Sequence, residues 1–168
     1  MTENQKLFIV TGLIVASILF LGRKKIKTEV TEMTNSITSR GIRNNNPGNI
    51  RVSTDAWQGL ADPKSDGAFF RFTTPEYGIR ALAKVLMNYN KAGYNTIEKI
   101  ISRWAPRTEN DTDAYIYAVS SALGKKSTEK LNFQTDLPGL VAAIIQHENG
   151  NNPYPMESIG IGISMAYV

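Results

Sequence analysis

The sequence contains no cysteine. That excludes disulfide staples, thiol nucleophiles and cysteine-ligated zinc together. Histidine is nearly absent as well, with His147 alone among 168 residues. A zinc peptidase or amidase needs two or three imidazoles, so that chemistry has no ligand set here. Strong charge of one sign is also missing: nineteen Lys+Arg face fifteen Asp+Glu, a net of +4, and half of that excess falls before Arg40. Nucleic-acid binders gather their cations on one face, so nucleic acid is not an expected partner. What remains is chemistry run by carboxylates and hydroxyls, without metal or cofactor, in a chain the size of one globular domain.

The first 39 residues stand apart. Leu7–Leu21 reads LFIVTGLIVASILFL, uncharged throughout, and Gly22 extends the run. As a helix it would reach about 24 Å, short of the hydrocarbon core of about 30 Å, with Lys6 and Arg23 able to snorkel from its ends. The basic Arg23-Lys24-Lys25 stands where a cleaved signal peptide would carry small residues, which favours an uncleaved single-span anchor over residues 1–22. The same flank places the rest of the chain on the cytoplasmic side. Residues 23–39 read as a linker or helical stalk, with Ile26, Val30, Met33 and Ile37 at helical spacing.

From Arg40 the character changes. Residues 40–75 are rich in Gly, Asn, Pro, Asp and aromatics, and Asn49–Ser53 and Ala68–Phe72 read as strands of a small irregular hairpin. Thr74-Pro75-Glu76 then opens a helix carrying Ile79, Leu82, Ala83, Leu86 and Tyr89, stopped at Gly93. Thr96 caps a second helix, ended by Pro106, with Trp104 on its apolar face and therefore read as core. A third runs from about Asp111 to Leu123, with Tyr115, Val119 and Ala122 on one face. Asp136 and Pro138 open a fourth that ends at Gly150, and the apolar tail packs as a last short helix. The expected class is a mostly helical α+β domain with a small hairpin region.

The fourth helix carries the most informative residue. Val141, Ile144, Ile145 and Glu148 share a face, so an apolar helix ends on a glutamate. A carboxyl there meets partial desolvation and the negative end of the helix dipole, and both favour its protonated form. A protonated carboxyl near neutrality is what general-acid catalysis requires. A solvent-facing glutamate at a helix end is the alternative the spacing leaves open. His147, about 100° round the helix, reads as a surface or partly packed side chain.

The segment Ala143-Ile144-Ile145-Gln146-His147-Glu148-Asn149-Gly150-Asn151-Asn152-Pro153 resembles the catalytic segment of lytic transglycosylases and related lysozyme-fold muramidases. Gly160-Ile161-Gly162 falls where that family has a small-residue turn, without its usual glutamine. Glu109–Ile116 resembles the family's late segment, whose tyrosine stands beside the acid, which by position is Tyr115. The family places the acid first and the tyrosine last; here the order is reversed, as in a circular permutation. Arg40 to Tyr167 is also similar to small phage proteins that open with R-G-I-R-N-N-N-P-G-N-I and are described as virion structural proteins or peptidoglycan-degrading lysins. Arg40–Ile50, Arg103–Pro106 and His147–Gly150 carry that likeness.

The resemblance implies a lysozyme-like catalytic domain over residues 40–168, acting on peptidoglycan glycan strands. Glu148 would protonate the oxygen between N-acetylmuramic acid and N-acetylglucosamine, then take the C6 hydroxyl proton as a 1,6-anhydro ring closes. Tyr115 would stand beside it, and Glu109 is a candidate second carboxylate. Asn44, Asn45, Asn46, Asn49 and Asn149 would meet sugar hydroxyls and N-acetyl groups, although the run Asn44–Asn46 before Pro47-Gly48 also suits turn chemistry. Trp57 would stack on a pyranose and Tyr154 would line the cleft. The setting implied is a virion membrane, and the host cytoplasmic membrane before assembly, with residues 7–22 in lipid and other virion proteins as neighbours. A non-catalytic virion structural or glycan-binding protein of the same fold is the rival.

Overall fold

The computed structural model describes residues 38–168, and Ser39–Val168 form one compact unit. The apolar run at 7–22 and the stalk at 23–37 lie outside the described residues. Among the described residues no helix is long and apolar enough to cross a membrane.

The chain begins with a single turn, α1 (Arg40–Arg43), followed by β1 (Leu60–Ser65), β2 (Phe70–Phe72), α2 (Pro75–Lys91), α3 (Ile97–Trp104), α4 (Thr112–Leu123), α5 (Leu137–Asn149) and α6 (Met156–Met165). Local chemistry sets most of these limits. Pro75 is pre-shaped for the first turn of α2. The Thr96 hydroxyl accepts from Lys99 N–H at 3.3 Å, and the Asp111 carboxylate accepts from Ala114 N–H at 3.1 Å, so both side chains satisfy helix donors otherwise left open. Gly124 and Gly150 close α4 and α5 in the left-handed conformation.

The helices pack around one core that includes Ile79, Leu82, Leu86, Ile100, Leu140 and Ile144, all fully buried. Each such side chain contributes about 1.5–3 kcal/mol by leaving water. α2 lies against α6, α4 against α5 and against α3, so the apolar stripes read from the sequence face one another. Ala122 is the exception, exposed beyond Val119. The core-facing position at that end of α4 is taken by Leu123, which packs against the main core.

The hairpin region differs from the expectation. β1 pairs antiparallel with β2, Leu60 opposite Phe72 and Ser65 opposite Phe70, with a bulge between. Asn49–Ser53 contributes one isolated bridge, Arg51 to Phe69. The physical reason is that Asp62, Pro63 and Lys64 disguise β1 as a loop, their exposure requiring no apolar alternation. Phe70 and Phe72 point inward onto Ala81, and Trp57, Leu60 and Tyr77 complete this smaller core.

Residues 44–50 form a knot rather than an extended segment. Asn45 and Asn49 adopt φ of 50° and 49°, a conformation asparagine tolerates better than most residues. The Asn46 amide, fully buried, donates to Ile50 O and Phe70 O and accepts from Ile50 N–H. α2 crosses this knot so closely that a β-carbon at Gly78 would lie 1.9 Å from Asn45 O. Only glycine permits that crossing, which fixes the knot against the main core.

Candidate functional site

Glu148 is half-buried at the last turn of α5, beyond fully buried Val141, Ile144 and Ile145 on the same face. Three side chains from three other parts of the chain converge on it. The Trp104 indole N–H donates to Oε1 at 2.9 Å, and the Tyr115 hydroxyl donates to the same oxygen at 3.1 Å. The Asn49 amide donates to Oε2 at 3.0 Å. The carboxyl group therefore has its position set by α3, α4 and the knot at once.

Each partner is itself held. Trp104 is the last residue of α3 and packs on the main core, so its indole N–H, which needs a partner when buried, finds it in Glu148. The Thr112 hydroxyl donates to Ala105 O at 2.6 Å and pins the corner between α3 and α4. Tyr115, one turn into α4, is 2% exposed, and His147 stacks on its ring with centroids 3.5 Å apart and planes 17° from parallel. Burial, together with the charge and hydrogen bond of Glu148, raises the Tyr115 ionisation far above the usual tyrosine range. Tyr115 is therefore a neutral donor and not a base.

Glu148 opens into a groove of about 320 Å³ whose walls include Arg51, Phe69, Tyr89, Trp104 and Glu109. Two larger depressions, of about 550 and 620 Å³, lie elsewhere among the described residues. The first has Glu98 as its sole carboxylate, and that side chain is exposed; the second has none. The smaller groove is the chemically equipped one.

The other residues singled out in the sequence divide sharply. Glu109 lines the groove and pairs with Arg51 at 3.5 Å, both side chains largely in solvent. Asn49 belongs to the groove through Glu148. The remaining candidates do not line it. Asn44 donates to Asp66 at 2.6 Å, Asn45 donates to Phe72 O and Thr73 O, and Asn46 knits the hairpin to the knot. Asn149 donates to Pro47 O at 2.8 Å and Ile145 O at 2.9 Å and accepts from the Ser39 hydroxyl at 2.6 Å. Trp57 is packed into the smaller core, and Tyr154 rests on the main core with its hydroxyl enclosed. Asn45 and Asn46 satisfy backbone carbonyls and Asn44 a side-chain carboxylate, so the asparagine run serves the frame.

Trp104 is the site residue the sequence reading assigned to the core alone. Its ring does pack there, but its N–H reaches the carboxylate. Position at the final turn of an apolar helix, just before Pro106, was the available signal.

No family model matches the chain. It is, however, homologous to a phage protein, and the match is longer than the folded domain, so it takes in part of the segment before Arg40. That relative is protein P5 of Pseudoalteromonas phage PM2, 40% identical over 157 residues, which cover 91% of this chain and 94% of P5. The chain belongs to the PM2 protein P5 family.

Proposed function

We propose that this protein cleaves peptidoglycan glycan strands as a lytic transglycosylase of a phage virion, with Glu148 as its acid and base. The observation that supports this most is a half-buried carboxyl, held by Trp104, Tyr115 and Asn49, that opens into a groove. Protonated Glu148 gives its proton to the oxygen between N-acetylmuramic acid and N-acetylglucosamine as that bond breaks. The resulting carboxylate accepts the C6 hydroxyl proton, and C6 oxygen closes onto C1 to form the 1,6-anhydro ring. Trp104 and Tyr115 remain donors to Oε1 throughout and hold the group in line for both transfers.

A hydrolase needs a second carboxylate, about 5–9 Å from the first, to serve the opposite face of the sugar. Glu109 is the carboxylate the groove offers, and it is engaged by Arg51 rather than free to hold an attacking water. This favours ring closure over attack by water. Residues 7–22 would tether the enzyme to the virion membrane, leaving the domain beside it to open the wall locally during genome entry.

The test is full-length protein in detergent on purified cell walls, against Glu148→Gln. The expected result is release of anhydro-ended fragments by the wild type and a loss of at least a thousandfold in the variant. Clearing that survives the substitution removes Glu148 as the acid. No clearing by either protein, with binding to walls retained, favours a non-catalytic glycan-binding virion component.

A further inference from the structure

One atom beside Glu148 is out of place for a static hydrogen-bond network. Asn49 Nδ2 donates to Glu148 Oε2, yet Asn49 Oδ1 is enclosed and meets no donor among the described residues. Its surroundings are worse than neutral. Gly41 packs there, and a β-carbon at Gly41 would lie 2.7 Å from Asn49 Oδ1, 2.5 Å from Asn149 Oδ1 and 2.9 Å from Asn46 O. Three acceptor oxygens thus face the same point beside Gly41. Asn149 Oδ1 has one donor, the Ser39 hydroxyl, and Asn46 O accepts from Asn49 N–H, so each retains a free lone pair.

A half-turn of the Asn49 amide exchanges its two ends. The NH₂ group would then face those oxygens, and Oδ1 would face Glu148 Oε2. Two acceptors in contact are tolerated only when one carries a hydrogen, so this orientation requires protonated Glu148. The amide as it stands suits the carboxylate; the reversed amide suits the acid. Its backbone does not have to move, because the terminal amide torsion is soft.

We propose that Asn49 is the positioning residue that keeps Glu148 in place through both protonation states, its side-chain amide turning over as the proton comes and goes. The coupling concerns Asn49 and Glu148 alone; its catalytic value rests on the reading of Glu148 as acid and base. An acid that gives and then retakes a proton within one turnover gains from a neighbour that serves either form. The other titratable or charged groups around it are Tyr115 from α4, His147 stacked behind Tyr115, Tyr89 from α2, and Arg51 and Glu109 across the groove. Tyr115 and Tyr89 both have ionisations raised by burial, so both stay neutral donors.

The experiment is NMR on full-length protein in detergent micelles, with ¹⁵N-labelled asparagine, across pH 4 to 8. The Asn49 side-chain NH₂ protons are expected to show contacts to the Gly41 α-protons at the acid end and to lose them at the alkaline end. The midpoint should coincide with that of the Trp104 indole N–H resonance. In Glu148→Gln neither signal should titrate. Contacts that stay unchanged through the Trp104 transition overturn the proposal, as does an Asn49 transition that survives in Glu148→Gln. On cell walls Asn49→Ala is expected to lower the rate about tenfold at the optimum and to displace the pH–rate profile. An unmoved profile would leave Asn49 a structural residue. If coupled titration is seen in a protein that clears no wall, the amide reading stands and the enzymatic reading falls.

Discussion

Replacing Asn46 with alanine separates two readings of the asparagine run. A sugar contact predicts weaker glycan binding at unchanged stability, whereas a frame residue predicts lost stability. The amide makes three hydrogen bonds: to Ile50 O at 3.0 Å, to Phe70 O at 2.9 Å and from Ile50 N–H at 2.9 Å. Ile50 O keeps a second donor after the change, because Phe70 N–H also reaches it at 3.1 Å. The Ile50 N–H keeps no acceptor, and an orphaned enclosed donor costs about 1–3 kcal/mol. Two further bonds at about 0.5–1.5 kcal/mol each bring the expected loss to about 2–6 kcal/mol. Such a loss is a large share of a small domain's whole stability. Urea unfolding followed by tryptophan fluorescence would read it as a lower midpoint at unchanged slope. A loss below about 1 kcal/mol, with weaker binding to cell walls, would refute the assignment of Asn46 to the frame.

Two other outcomes are expected. Trp104→Phe keeps the ring in the core but removes one charge-assisted hydrogen bond to Glu148 Oε1, so wall clearing should fall about 10- to 100-fold. Equal activity would show that the indole N–H does not hold the acid. The second concerns Asp66, whose carboxyl lies well below its ordinary 3.8, chiefly through the Asn44 amide, with Phe69 N–H, the Arg40 guanidinium and Ala68 N–H adding to it against an opposing effect of burial. A depressed value contributes stability that is present above the ordinary one and is lost as pH falls through the folded one. Asp66→Asn should therefore be less stable than the wild type at pH 7, with the gap in urea midpoint beginning to narrow below about pH 4 and closing only as pH falls on through the depressed folded value. A gap that keeps its full pH 7 size down to about pH 2 would contradict that source of stability.

The helices were legible because their instructions are local. Thr96, Asp111, Pro75, Gly124 and Gly150 act within a turn of where they stand, and a stripe such as Val141, Ile144, Ile145 and Glu148 is written into spacing alone. β1 was hidden because an exposed, bulged strand carries no apolar alternation, and α1 because one turn has no period to read.

By itself the sequence determined that there is no thiol to act and no set of imidazoles to hold zinc, where α2 to α6 run, and that Glu148 leaves the core at a helix end. Of the groups that meet it, Tyr115 alone was expected there, from resemblance; the tertiary structure decided the rest. Tyr115, Trp104 and Asn49 lie 33, 44 and 99 positions away along the chain, and hydrogen bonds over such separations are set by how helices and knot pack, not by any local pattern. The same packing drew Asn44, Asn45 and Asn46 into the frame: Asn44 meets the Asp66 carboxylate, and Asn45 and Asn46 meet backbone carbonyls of the hairpin.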